Sequence, residues 1–257
     1  MRGLNAIRWR PCFGTPAIWM PVRHMAAALP ANGKTETPQL TICLAPSHRR
    51  STRGVQGYNR RMTTAILGGT FDPPHLGHLF LAECARHQFG LARVLFMPAG
   101  DPYRKEGRGV SPAAHRLEMT RLAIHGNAAF DLDDRECRRD GPTYTVDTLE
   151  ELAAEGHRDL LLLVGVDAIA DMPNWKDAPR IAVLARIAVA LKEATEDELE
   201  QLSRRAGLPR SPAFVDMPPL AISSTLIRDR VARGLPIRYL VPDPVARYIA
   251  THSLYRD

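Results

Sequence analysis

Gly68-Gly69-Thr70-Phe71-Asp72-Pro73-Pro74-His75-Leu76-Gly77-His78 follows a short apolar run at residues 64–67 and precedes an amphipathic stretch at residues 79–89. The run reads as a strand, the glycine pair as a turn, and the stretch as a helix stopped by Gly90. The same β-then-α order recurs downstream. Apolar runs at 94–98, 130–132, 160–164, 187–191 and 213–215 predict further strands. Helices are expected from Ser111-Pro112 to about Gly126, and over 145–154, 196–205, 223–233 and 244–249. Ser111 is the expected N-cap there, with Pro112 at the first helical position. The continuous run Leu160-Leu161-Leu162-Leu163-Val164 suits a strand covered on both faces. The expected fold is therefore α/β, a doubly wound and mostly parallel sheet in a single domain over residues 62–257. Ligands of such sheets bind beyond the carboxyl ends of the strands, where the Gly68-Gly69 turn lies.

The 257 residues are 45 % hydrophobic and 24 % charged, which is globular in character and ample for a core. No apolar run approaches the length of a membrane-spanning helix, so no membrane partner is expected. Cys12, Cys43, Cys84 and Cys137 lie far apart, which argues against a zinc ribbon or a disulfide scaffold and for a reducing compartment. The net charge of +6 is unevenly placed. Residues 1–61 carry 10 Lys and Arg against the single acid Glu36, whereas residues 62–257 carry 24 against 27 acids. The body is mildly acidic, so its charge gives no reason to expect a nucleic-acid partner.

Residues 1–61 are rich in Arg, Pro, Ala, Ser and Thr and lack helical or strand periodicity. They read as a basic, disordered extension, as an Arg-rich targeting peptide, or as residues upstream of a natural start at Met62.

The opening motif carries chemistry as well as shape. Two glycines let a phosphate approach the backbone and permit positive φ. The helix that follows offers N-terminal amides to an anion. His75 and His78 are three apart and would share one helical face, where both imidazoles can donate to phosphoryl oxygens. Gly77 between them leaves room for a bulky ligand. A zinc site is the rival for H-x-x-H, but no nearby Cys or carboxylate completes a ligand set, and no metal site is expected. The stretch is neither a Walker loop nor a G-x-G-x-x-G fingerprint. A second motif stands at Ile222-Ser223-Ser224-Thr225-Leu226-Ile227-Arg228. Its serines can cap a helix and offer hydroxyls to an anion, and Arg228 can reach phosphate one turn in.

Together the two motifs resemble the nucleotidyltransferase superfamily with an H-x-G-H motif and a late S-S/T-x-I-R motif. Within it the body resembles the bacterial nicotinate-nucleotide adenylyltransferases. Thr143-Tyr144-Thr145-Val146-Asp147-Thr148-Leu149, Val164-Gly165-Val166-Asp167, Trp175-Lys176, and Leu240-Val241-Pro242 with Val245 and Tyr248-Ile249 extend the likeness over residues 64–255. The resemblance implies a Rossmann-like fold, a bacterial cytoplasmic enzyme, and one reaction. ATP and nicotinate mononucleotide, with Mg²⁺, give nicotinate adenine dinucleotide and pyrophosphate by in-line attack on the α-phosphorus. It implies catalytic roles for His75, His78 and Arg228. Gly68, Gly69, Thr70 and Phe71 would pack against the nucleotides, and Ser223 and Ser224 would hold the β- and γ-phosphates. Asp167 would meet ribose or backbone, or else merely cap a helix. Trp175 would stack on the pyridine ring. Thr145, with backbone amides near Trp175 and Lys176, would face the nicotinate carboxylate.

One segment departs from the family. Where Pro-Pro-His-Lys or Pro-Pro-His-Arg is usual, this chain has Pro102-Tyr103-Arg104-Lys105. Contact with phosphate would then pass through Arg104 or Lys105. The pairs Asp133-Asp134 and Arg138-Arg139 read as solvated charge. Three alternatives stay open: nicotinamide mononucleotide as acceptor, phosphopantetheine as acceptor, and a nucleotide-binding module without catalysis.

Overall fold

The computed structural model describes residues 63–102, 109–190, 196–205, 207–209 and 211–256. The extension expected over residues 1–61 therefore lies outside the described residues. Six strands form one parallel sheet in the order β3-β2-β1-β4-β5-β6. They are β1 (Thr63–Gly69), β2 (Val94–Pro98), β3 (Phe130–Leu132), β4 (Asp159–Gly165), β5 (Ala185–Ala190) and β6 (Ala213–Val215). This is the doubly wound order, which reverses direction between β1 and β4 and opens a crevice there at the carboxyl ends.

Side-chain alternation along β4 divides the core between the two faces. Leu160, Leu162 and Val164 pack with Ile66, Ile187 and Val189 under helices α4 (Thr145–Ala154), α5 (Val166–Asp171) and α6 (Ala178–Leu184). Leu161 and Leu163 point the other way, to Ala65, Leu67, Phe96, Ala188 and the apolar side of α1 (Leu76–Phe89). Both faces are dry, which is why the run is continuously apolar. Each such leucine contributes roughly 1.5–3 kcal/mol by burial.

A third cluster joins α2 (Ala113–Ile124) to α8 (Ser224–Ala232) and α9 (Asp243–Thr251), through Met119, Ala123, Ile227, Val241, Val245 and Ile249. This brings the second motif back to the first. The remaining helices are α3 (Arg135–Arg138) and α7 (Glu196–Arg205). Among the described residues no helix is long and apolar enough to cross a membrane.

Most expected elements are present, with shifted edges. Helix α1 begins at Leu76, not at residue 79, and ends on Gly90 in the left-handed conformation (φ 64°). β5 begins two residues early, at Ala185. Two short helices, α3 and α6, are additional to those expected, and the helix expected near Asp167 is the short α5. Pro112, not Ser111, occupies the cap position of α2. Ser111 is drawn away because its amide donates to the Asp72 carboxylate (3.1 Å) and its carbonyl accepts from Arg116 (2.8 Å).

Candidate active site

Gly68 and Gly69 close β1 opposite Met97 and Pro98 of β2. The positive φ expected of these glycines falls instead on Phe71 (φ 50°). Its ring is buried, edge-on to His78 at 5.0 Å and near Phe96 at 5.9 Å. A Cβ on Gly69 would lie 3.2 Å from that ring, whereas one on Gly68 would meet open space. Gly69 thus makes room for Phe71, and Gly68 is the glycine with open space beside it. Phe71 supports His78 with its ring and can offer a nucleotide only its backbone. Thr70 is held through its carbonyl, which accepts from Arg116 (2.9 Å).

His75 is the N-cap of α1, and His78 is its third residue. Their rings stack at 3.7 Å. The His75 amide donates to Nδ1 of His78 (3.2 Å), so the proton of neutral His78 lies on Nε2. Nδ1 of His75 is buried, turned toward the first-turn amides, and has no hydrogen bond of normal geometry. Burial pushes the His75 pKa down to about 4, which keeps the ring neutral at physiological pH. Gly77 has a different task from the one expected. A Cβ there would lie 3.0 Å from Nδ1 and 3.1 Å from Cε1 of His75, so the glycine admits the imidazole, not a ligand. The N-terminus of α1 is also less open than expected. The Leu76 amide donates to Leu240 and the His78 amide to the His75 carbonyl, both at 2.9 Å.

The second motif docks on the first. Ser223 caps α8 by accepting from the Leu226 amide (3.1 Å), and its own proton remains available to a phosphate. Ser224 donates its proton to the Pro73 carbonyl (2.8 Å). Nη1 of Arg228 donates to the Asp72 carbonyl (2.8 Å), which fixes the guanidinium against the loop that leads to His75.

Two groups in this network were not singled out from sequence. Asp72, 3 % exposed, accepts from the Ser111 amide and from the Tyr255 hydroxyl (2.6 Å). Arg116, 1 % exposed, donates to the carbonyls of Thr70, Ala99, Gly100 and Ser111. It thereby clamps the ends of β1 and β2 to the start of α2.

A third group gathers beside α4. Thr145 is the first residue of this helix. Lys176 is paired with both oxygens of Asp147 (2.9 and 3.0 Å) and lies over the Tyr144 ring at 4.5 Å. Its ammonium is thus engaged by protein. The Trp175 amide is also taken, by the Met172 carbonyl (2.9 Å), so the Lys176 amide is the one still to be assigned. The Trp175 indole donates to Asp171 (3.3 Å), which orients the ring while one part of it rests on the core. Thr143 donates twice to the Asp101 carbonyl, three residues before Arg104 and four before Lys105 in the chain. Those two residues lie outside the described residues.

Asp167 is exposed in the first turn of α5, but the N-cap is Gly165, so the capping alternative does not apply. The charge pairs divide unevenly. Asp134 and Arg138 pair at the surface (2.5 Å). Asp133 and Arg139 are largely sheltered in a network with Arg135, Glu151 and Glu155, against the expectation of solvated charge. Beside them burial pushes the Glu136 carboxyl up, although Thr148 donates to it (2.7 Å).

The segments that follow β1, β3, β4 and β6 thus carry every described candidate, beyond the carboxyl ends of the strands. Residues 66–230 match the cytidylyltransferase-like family model. A protein of Roseiflexus sp. (strain RS-1), described as a probable nicotinate-nucleotide adenylyltransferase, is 46 % identical over 192 residues, which is 74 % of this chain and 96 % of that one. The chain belongs to the nicotinate-nucleotide adenylyltransferase family. A counterpart of the same description from Thermomicrobium roseum is 46 % identical over 193 residues, 74 % of this chain and 90 % of its own. The fold agrees with a solved Plasmodium falciparum nicotinic acid mononucleotide adenylyltransferase complexed with NaAD. Its TM-score is 0.64 at 18 % identity, over 75 % of this chain and 97 % of that one. In this member of the nicotinate-nucleotide adenylyltransferase family, the glycine of His-Leu-Gly-His serves the packing of the first histidine.

Proposed function

We propose that this enzyme transfers the adenylyl group of ATP to nicotinate mononucleotide, forming nicotinate adenine dinucleotide and pyrophosphate. The observation that carries the reading is the stacked His75–His78 pair, with Arg228 anchored on the same loop at the sheet's switch point. A phosphate oxygen of the mononucleotide forms the new bond to the α-phosphorus. The bond from that phosphorus to the α,β-bridging oxygen breaks, and its electron pair leaves with pyrophosphate. No protein nucleophile is required, so the chain contributes position and charge stabilisation. Two imidazoles and one guanidinium suit the charge that grows on the leaving oxygens. A neutral His75 donates a hydrogen bond without changing charge.

Gly68, Gly69, the backbone of Thr70 and Phe71, and Asp167 would line the nucleotide. Ser223 would donate to a phosphate, and Ser224 would act chiefly as a tether. Trp175 would stack on the pyridine ring, with Thr145 and the Lys176 amide at the carboxylate. Arg104 and Lys105 would meet phosphate. Mg²⁺ would enter as part of Mg-ATP. Among the described residues no group of three or more His, Cys, Asp and Glu is placed to hold a metal, whereas Mg²⁺ sits readily on phosphates and water. The substrates are small and soluble, which fits an enzyme of the cytoplasm.

The test is pyrophosphate release with Mg-ATP and three acceptors in parallel: nicotinate mononucleotide, nicotinamide mononucleotide and phosphopantetheine. The reading expects a strong preference for the first. Equal use of acid and amide would remove the carboxylate subsite, and turnover with phosphopantetheine alone would overturn the assignment.

A further inference from the structure

Between Gly69 and His75 the chain is held by three donors from two distant helices, α2 and α8. Arg116 takes the Thr70 carbonyl, Arg228 the Asp72 carbonyl, and Ser224 the Pro73 carbonyl. The Asp72 side chain is buried and is met by two neutral donors, the Ser111 amide on Oδ2 and the Tyr255 hydroxyl on Oδ1. The main chain of Asp72 therefore anchors Arg228 while its side chain is anchored by Tyr255. We propose that Tyr255 is a positioning residue for adenylyl transfer, setting the Asp72 carbonyl and through it the Arg228 guanidinium. The proposal rests on the reading of Arg228 as a phosphate ligand.

The tail is shaped for this contact. Helix α9 ends with the Leu254 amide on the Ile249 carbonyl (3.1 Å), and Ser253 and Tyr255 both adopt left-handed backbone (φ 51° and 63°). Two such non-glycine residues within three positions are costly and persist only where surrounding contacts over-determine them. Here they turn the chain so that the phenol reaches Asp72 beside Met119 (3.9 Å to Sδ). Burial, and after it the hydrogen bond to Asp72, push the Tyr255 pKa up, so the hydroxyl remains a donor. Its loss would leave a buried carboxylate oxygen without a partner, free to pull the loop toward another donor.

The test compares the full-length wild type with Tyr255→Phe, well below the melting temperature. KM and calorimetric Kd for ATP should rise about tenfold, while KM for nicotinate mononucleotide changes less than about twofold. Melting should stay cooperative. In an Arg228→Met background the same substitution should no longer alter the ATP Kd, because its effect passes through Arg228. Asp72→Ala, which removes the acceptor of both the Ser111 amide and the Tyr255 hydroxyl, reaches the same loop without touching Tyr255 and should also weaken ATP. A lower kcat with both KM values unchanged, an equal loss in the Arg228→Met background, or no effect of either substitution on ATP would each overturn the proposal. If wild type transfers nothing to nicotinate mononucleotide, the functional reading fails separately, and the ATP Kd values still decide the role of Tyr255.

Discussion

His75 and His78 stack at 3.7 Å with 23° between their ring planes, and the amide of the first donates to Nδ1 of the second. The contact explains why two histidines stand three apart at the start of a helix. One stands at the cap position of the helix, and the other accepts from the amide of the first. A site built this way depends on ring placement and on protonation state.

Protonation gives the first prediction. His75 has a folded pKa of about 4 against an ordinary 6.5. Between these values the unfolded chain binds the proton and the folded chain does not. The stability that His75 contributes as a neutral ring is therefore complete above pH 6.5 and is lost as pH falls toward 4. The loss is at most roughly 3 kcal/mol. Urea midpoints of wild type and His75→Gln, compared at pH 7 and pH 4.5, should show the variant to be less acid-sensitive. Parallel lines for the two proteins would contradict a buried neutral His75.

Gly77→Ala tests ring placement. Alanine favours a helix by up to about 1 kcal/mol, but its Cβ would press on His75 at 3.0 Å. The imidazole must move, and kcat/KM is expected to fall roughly 10- to 100-fold with little change in melting temperature.

Arg116 is a stability prediction. Arg116→Met would leave carbonyls at four positions without their donor. The cost should be about 3 kcal/mol or more in urea unfolding. Arg116→Lys should rescue only a minor part, because one ammonium cannot span carbonyls from three segments.

Lys176→Met separates position from stability. Its pair with Asp147 has side chains 49 % and 34 % exposed, so its loss should cost less than about 1 kcal/mol. The same pair ties the Trp175 loop to the start of α4. KM for nicotinate mononucleotide should rise several-fold while KM for ATP stays unchanged. An effect confined to ATP would contradict the placement of the pyridine subsite.

Much of this could be read from the chain itself. The strands Val94–Pro98, Phe130–Leu132 and Ala213–Val215 fall where short apolar runs put them, and the helices Thr145–Ala154 and Glu196–Arg205 where the chain reads as helix, because both signals are local. The short helices α3, α5 and α6 have four to seven residues, fewer than two turns, too few for a period to emerge. In α2 the pattern misleads. Leu117, Leu122 and Ile124 suggest the inner face, whereas Ile124 is buried together with Arg116, Met119, Thr120 and Ala123. A buried arginine that serves backbone carbonyls has the same local sequence as a solvated one. The tasks of Asp72, Gly77 and Tyr255 were hidden for a related reason, since each is defined by a partner that only folding supplies.

The central claim is adenylyl transfer to nicotinate mononucleotide, and the fate of the α-phosphorus tests it most directly. Wild type would be incubated with ATP labelled at that phosphorus and with nicotinate mononucleotide. The account predicts label in nicotinate adenine dinucleotide, none in pyrophosphate, and no transfer when the acceptor is omitted or His78 is replaced by alanine. Label in AMP regardless of acceptor, or label that stays in ATP, would contradict it.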